Sequence, residues 1–148
     1  MVEFALVLPL LLLLMLAIFG YGLAFYHSLA VGNANREGLR VAVVGATPCQ
    51  VYNEDVSLLS ASGMTGTPTL AFTYTEASGD PQVCSIPSEG NCSPSPTLET
   101  GQWVTVALSY PATSVVPLPG LGSSYTIKNQ ATMMMEQPGA STLPASCP

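Results

Sequence analysis

Between Phe4 and Tyr26 the chain reads FALVLPLLLLLMLAIFGYGLAFY, 23 residues without a charge, all apolar except Pro9, Gly20 and Gly22. About 20 apolar residues let a helix cross a ~30 Å hydrocarbon core. The run is longer than the ~7 to 15 apolar residues of a secretory signal peptide, and no convincing small-residue cleavage site follows it. The helical pattern also continues beyond a membrane edge: HSLAVGNANREGLRVAVV has no proline and carries apolar residues at Leu29, Val31, Leu39, Val43 and Val44. Gly45 and Pro48 are expected to end it. A helix from about Phe4 to Val44 is roughly 60 Å long at ~1.5 Å per residue, twice the hydrocarbon thickness.

The rest of the chain is a different polymer. From Ala46 to Pro148 there are 27 Ser and Thr, one lysine (Lys128) and all four cysteines. Residues 1–45 therefore read as a hydrophobic helix, a membrane anchor or filament core, and residues 46–148 as a disulfide-tied, β-rich extracellular domain. An even cysteine count outside a membrane anchor points to an oxidising compartment and two disulfides, with three possible connectivities. The preferred pairing is Cys84 with Cys92, closing the turn-rich SIPSEGN loop, and Cys49 with Cys147, tying the domain's entry to its tail. The longer closure stabilises more. Zinc is the rival, but no CxxC pair exists, and cysteine spacings of 35, 8 and 55 positions match no usual structural zinc pattern. No metal or other cofactor is expected.

Coarse structure follows from periodicity. Asn53 is a plausible N-cap for a short helix EDVSLLSA, with Gly63 after it. TLAFTYT alternates, placing Leu70, Phe72 and Tyr74 on one face, and ASGDP is turn chemistry leading to QVCSI. WVTVALSY puts Val104, Val106, Leu108 and Tyr110 on one face, PATSVVPLPGLG reads as a Pro/Gly-rich loop, and SYTIKNQATMMM is a further extended segment. The expected fold class is α+β: a long N-terminal hydrophobic helix followed by a small antiparallel sheet.

Composition excludes several functions. Three Lys and Arg against nine Asp and Glu, a formal charge of −6, would repel a phosphate backbone, so no nucleic acid is expected as a partner. The sole histidine, His27, has no carboxylate within four positions; it reads as an interfacial residue beside Tyr26, not as a catalytic base. Glu54 and Asp55 are adjacent, so they point apart on a helix and read as a solvated acidic face. GYG lies inside the apolar run and GLG lacks a flanking strand and helix, so no phosphate cradle is present. Asn91-Cys92-Ser93 matches a glycosylation acceptor. With no acid/base constellation, the chain is not read as an enzyme.

Glu3 opens the apolar run. A carboxylate in hydrocarbon costs several kcal/mol unless it finds a partner or reaches the interface. Two readings stand on that physics: a buried acid needing a partner, and a favourable acid at a helix N-terminus. The positive-inside rule counts Arg36 and Arg40 after the helix and would keep the C-terminal domain in the cytoplasm, whereas the cysteines place it outside. A removed basic leader, or the distance of the two arginines from the membrane edge and their offset by Glu37, reconciles the two with a cytoplasmic N-terminus.

MVEFALVLPLLLLLMLAIFGYG, NANREGLRVAVVGA, WVTVALSYP and YTIKNQATMMMEQ together resemble the TadE-like (TadE/TadG) pilin-related proteins of the tight-adherence system, a type IV pilus system. The most specific parts are VEFALVLP and NANREGLR. The resemblance implies a structural subunit of an extracellular filament, made of helically arranged copies of itself. It implies a prepilin peptidase that removes a short basic leader, an inner-membrane, ATP-driven assembly machine, and residence in the inner membrane before assembly. Glu3 corresponds to the glutamate left near the new N-terminus. That glutamate usually stands fifth in the mature chain, which implies two further residues ahead of Met1 or a different cleavage point. In that setting Glu3 pairs with a neighbour's N-terminal amine and sets register, Pro9 kinks or locally melts the helix, and Gly20 and Gly22 permit close helix approach. Arg36, Glu37 and Arg40 form either an ion-paired junction between subunits or a plain solvated turn. Rival readings are a minor pseudopilin that primes assembly and a membrane-anchored adhesive module.

Overall fold

A proline-free run of good helix formers after Pro9 gives one continuous helix, α1, Val2–Val43, close to the expected Phe4 to Val44. The computed structural model describes residues 2–75, 81–86, 100–118 and 122–137. α1 ends in a Schellman turn: Gly45 has φ of 94°, its N–H donates to Ala42 O at 3.1 Å, and the Ala46 N–H reaches Val41 O at 3.4 Å. Glycine is needed there because the turn requires a left-handed residue.

Pro48 does more than bar the first helix from continuing. It opens a second, α2, Pro48–Ala61, whose N-cap is Thr47. The Thr47 hydroxyl accepts from the Gln50 N–H at 3.3 Å, and the Gln50 side chain accepts from the Thr47 N–H at 2.9 Å. The expected N-cap at Asn53 is therefore corrected: Asn53 lies inside the helix. Thr-Pro-Cys-Gln is a capping box with proline at the first helical position, which outcompetes an Asn further on.

Four strands follow: β1 (Thr69–Thr75), β2 (Pro81–Ile86), β3 (Trp103–Leu118) and β4 (Gly122–Met134). They form an antiparallel sheet in the order β2-β1-β3-β4. The α+β class and the small antiparallel sheet after a long apolar helix are as expected. PATSVVPLPGLG is corrected, because β3 runs on to Leu118 instead of ending at Tyr110. The β1–β3 pairing ends at Thr69 with Ser109, so from Pro111 onward β3 is bonded only to β4, and a proline on the side facing away costs no ladder bond.

One face of the sheet carries Leu70, Phe72, Tyr74, Val104, Val106, Leu108 and Tyr110, all buried, as the alternation predicts. The C-terminal half of α1 covers it through Val31, Ala34, Leu39, Ala42 and Val43, a stripe at helical spacing. After β4 the chain returns to α1: Glu136 and Gln137 N–H groups donate to Val43 O at 3.1 and 3.3 Å, satisfying a carbonyl the helix end leaves free. The two halves of α1 thus have different surroundings. The second half belongs to the core, and the first projects from it.

Candidate functional site

The projecting half is apolar on every side. Leu10, Leu13, Phe19 and Phe25 are 67–70% exposed, and each of Leu11, Leu12 and Leu14 is more than half exposed. Five consecutive leucines sample the whole circumference of a helix, so no orientation against the domain could bury them. The segment Leu6–Val43 contains an 18-residue window of mean hydropathy 2.5 with none of it buried, long and apolar enough to cross a membrane. Such a surface must be covered by lipid tails or by other apolar helices.

Along this helix, Pro9 and Gly22 are exposed and Gly20 is half-exposed. A Cβ built on Gly22 meets nothing within 4 Å, so no contact within the chain calls for a glycine there. Glu3 is helical, and its side chain lies outside the described residues. The junction residues come together within one turn. Arg40 Nη1 sits 3.1 Å from Glu37 Oε2, with the Arg40 side chain largely exposed and that of Glu37 about half-exposed, while Arg36 is exposed beside them. An exposed i,i+3 pair contributes only about 0.3–0.5 kcal/mol.

Where α1 leaves the domain, two adjacent aromatic residues hold it on both sides. Tyr26 Oη donates to Ser62 O at the end of α2, 3.2 Å away. His27 Nδ1 lies 3.5 Å from Tyr125 Oη on β4, and its ring is tilted against Tyr26 at a centroid distance of 5.9 Å. Apolar rings with wet tips suit the boundary between a lipid-facing and a water-facing segment.

The α1–α2 contact holds the main departure from expectation. Glu54 and Asp55 do not form a solvated acidic face: Asp55 is fully buried, and neither carboxyl oxygen has a hydrogen-bond partner. It sits opposite Gly38, where an added Cβ would overlap Asp55 Oδ1. Burial first, and the charge of Glu54 second, push its carboxyl up from 3.8 to about 7. Glu54 and Glu37 line a neighbouring groove of about 440 Å³ with Ala30, Ala34 and Leu58. One turn back along α1, buried Asn35 donates through Nδ2 to Asn129 Oδ1 at 2.8 Å and to Val106 O at 3.3 Å. Asn35, Gly38 and Asp55 were not anticipated, although each interrupts an apolar stripe at helical spacing. Val51, Tyr52 and Leu59 flank Asp55 on the buried face of α2, where an acid has no ordinary place.

Cys49 at the start of α2 and Cys84 on β2 are both buried and disulfide-bonded. Their proposed partners, Cys147 and Cys92, lie outside the described residues, as does Asn91. No group of three or more His, Cys, Asp or Glu placed to hold a metal occurs among the described residues.

The model of the TadE-like protein family matches residues 1–40, the projecting helix and most of its continuation into the core. The stated resemblance is thus shown over this segment, the part in which the VEFALVLP and NANREGLR motifs lie. No curated protein and no solved structure matches the chain.

Proposed function

We propose that this protein is a structural, pilin-like subunit of an extracellular Tad-like type IV filament, assembled through α1. The observation that carries the reading is the charge-free stretch of α1 from Phe4 to Tyr26, whose described apolar side chains are exposed on all sides and project from a domain whose core does not use them. The match of residues 1–40 to TadE-like proteins supports a Tad pilus-related, membrane-associated or surface role and a structural one.

In this reading the helix first lies in the inner membrane with its N-terminus cytoplasmic, after a prepilin peptidase has removed a leader. Assembly machinery then moves it into a helical array of identical chains, where sister helices replace lipid. Apolar side chains stay out of water at both stages, so the hydrophobic term nearly cancels and packing plus a few polar contacts decide association. Glu3 supplies one such contact by pairing with a neighbour's N-terminal amine, which sets axial register. Pro9 loosens the helix by removing its bond to Ala5, and Gly20 and Gly22 let neighbours approach closely. The domain of residues 46–148 faces solvent, tied by Cys84–Cys92 and Cys49–Cys147.

Mass spectrometry of isolated filaments tests membership and the mature N-terminus together. A chain found as the bulk component supports a shaft subunit. A trace amount identifies a minor, assembly-priming subunit, and absence from filaments removes the reading. A Glu3→Leu variant that inserts normally and still assembles at normal yield and length would remove the register role alone.

A further inference from the structure

An acid at the centre of a helix–helix contact makes that contact conditional on a proton. Asp55 lies on the buried stripe of α2 between Tyr52 and Leu59, has no exposed surface, and has no donor for either oxygen. The space it fills exists because α1 carries glycine at position 38. A leucine at position 55 would make the contact permanent, whereas an ionised carboxylate there is a buried charge without a partner.

We infer that α2 is a proton-operated clasp on α1, closed when Asp55 is the neutral acid and opened when its carboxyl ionises, uncovering the seam Ala30–Ala34–Gly38. The charged and titratable groups around it do not relieve the charge. On α2 they are Glu54, which opposes ionisation, and Tyr52, whose own hydroxyl is raised by burial. On α1 they are Arg36, Glu37 and Arg40. Arg40 is engaged with Glu37, and this is the one ion pair among the described residues. The sheet lies against the adjoining face of α1, where Asn35 meets it, and its lysine, Lys128, is exposed on β4.

The sign follows from the raised carboxyl. The closed form holds its proton up to about pH 7, against 3.8 for the ordinary carboxyl. Closure is therefore strongest below about pH 4, weakens as pH rises, and levels off above about pH 7. Over that window the closing equilibrium falls by up to roughly a thousand-fold, of which about thirty-fold lies between pH 5.5 and 8.5. The start of α2 stays tied to α1 by the short connection through the Gly45 turn and is held by the disulfide at Cys49, so opening swings the end bearing Leu58 and Ser62. This inference does not depend on filament membership.

Hydrogen exchange of α2 amides, measured by mass spectrometry on the full chain in detergent micelles and corrected for the intrinsic pH dependence, tests the clasp. Protection of residues 55–61, the end that loses its packing on α1 and frays when it swings away, is expected to fall about thirty-fold from pH 5.5 to 8.5 in the wild type, while protection of the first turn of α2 and of β3 holds. Asp55→Asn is expected to abolish that pH dependence. Glu54→Gln, which leaves the buried site intact, is expected to move the midpoint to lower pH. Flat wild-type protection, a midpoint near 4, or an equal fall in Asp55→Asn would overturn the proposal. If Asp55→Asn does not fold, the wild-type profile and the Glu54→Gln midpoint decide it.

Discussion

Asn35 of α1 and Asn129 of β4 meet across the helix–sheet interface through a 2.8 Å hydrogen bond, and the same Asn35 amide reaches the backbone oxygen of Val106. Val106 O can only accept, so the Asn35 nitrogen must face the sheet. Removing this amide leaves the half-buried Asn129 Oδ1 without this donor and takes a donor from Val106 O, a carbonyl within the paired central strand. Asn35→Ala is expected to destabilise the full chain by about 2 kcal/mol, and Asn129→Ala, which leaves the Val106 bond, by about 1 kcal/mol. Urea unfolding in micelles followed by Trp103 fluorescence measures both, and equal losses would contradict the shared-donor geometry.

Glycines at two positions of the same helix should respond in opposite directions. Gly38→Ala places a Cβ against Asp55 Oδ1. It is expected to cost about 1–3 kcal/mol despite alanine's higher helix propensity. Gly22→Ala enters open space, so it is expected to leave domain stability unchanged or raise helix stability by up to about 1 kcal/mol. Thermal unfolding of both variants at pH 5.5 checks the contrast. A neutral Gly38→Ala would mean that α2 does not close as tightly as described.

The capping box at Thr47 predicts a local loss. Thr47→Ala removes the acceptor for the Gln50 N–H and is expected to cost about 1 kcal/mol. Exchange protection should fall in the first turn of α2 and remain in β1. Asn53→Ala, a substitution inside the helix, should leave that turn unchanged.

A single charge in the projecting helix should separate insertion from folding. Leu13 is 68% exposed, so Leu13→Arg disturbs no contact of the domain. At the centre of a membrane span it costs about 3 kcal/mol by insertion scales. Alkaline extraction of membranes is expected to release a large share of the variant while Leu13→Ile stays bound. Equal retention would argue that this segment does not lie at bilayer depth.

Much of this was legible in the sequence because period and length are strong signals when they last. The apolar run dictates α1 almost to the residue, and the alternation of TLAFTYT and WVTVALSY reproduces the buried face of the sheet. The misses have local physical causes. β3 continues through Pro111 because only one side of the strand is paired there, a fact of sheet order that no local pattern contains. Thr47 and Gln50 did carry a readable capping signal, overshadowed by an Asn before acidic residues. Asp55 reads as solvated because it stands next to Glu54, and two adjacent acids suggest an acidic face. Its apolar neighbours at helical spacing were the available clue, but only the partner helix, with glycine at position 38, makes room for it. Glu3, Pro9, Gly20 and Gly22 remain assignments about neighbours, which the fold of one chain does not by itself create.

α1 passes from its exposed half into the core without a joint. The chain has no swivel between what lies in lipid or in a bundle and what faces water, so the domain's azimuth and tilt follow the helix rigidly. Tension applied to the apolar half is delivered along the helix axis, and the Asn35 bonds and the Val31–Ala34–Leu39 stripe resist it in shear across the sheet, many contacts at once, where a hinge would let them peel one after another. Any array built from such chains would transmit both twist and load from its centre to its surface.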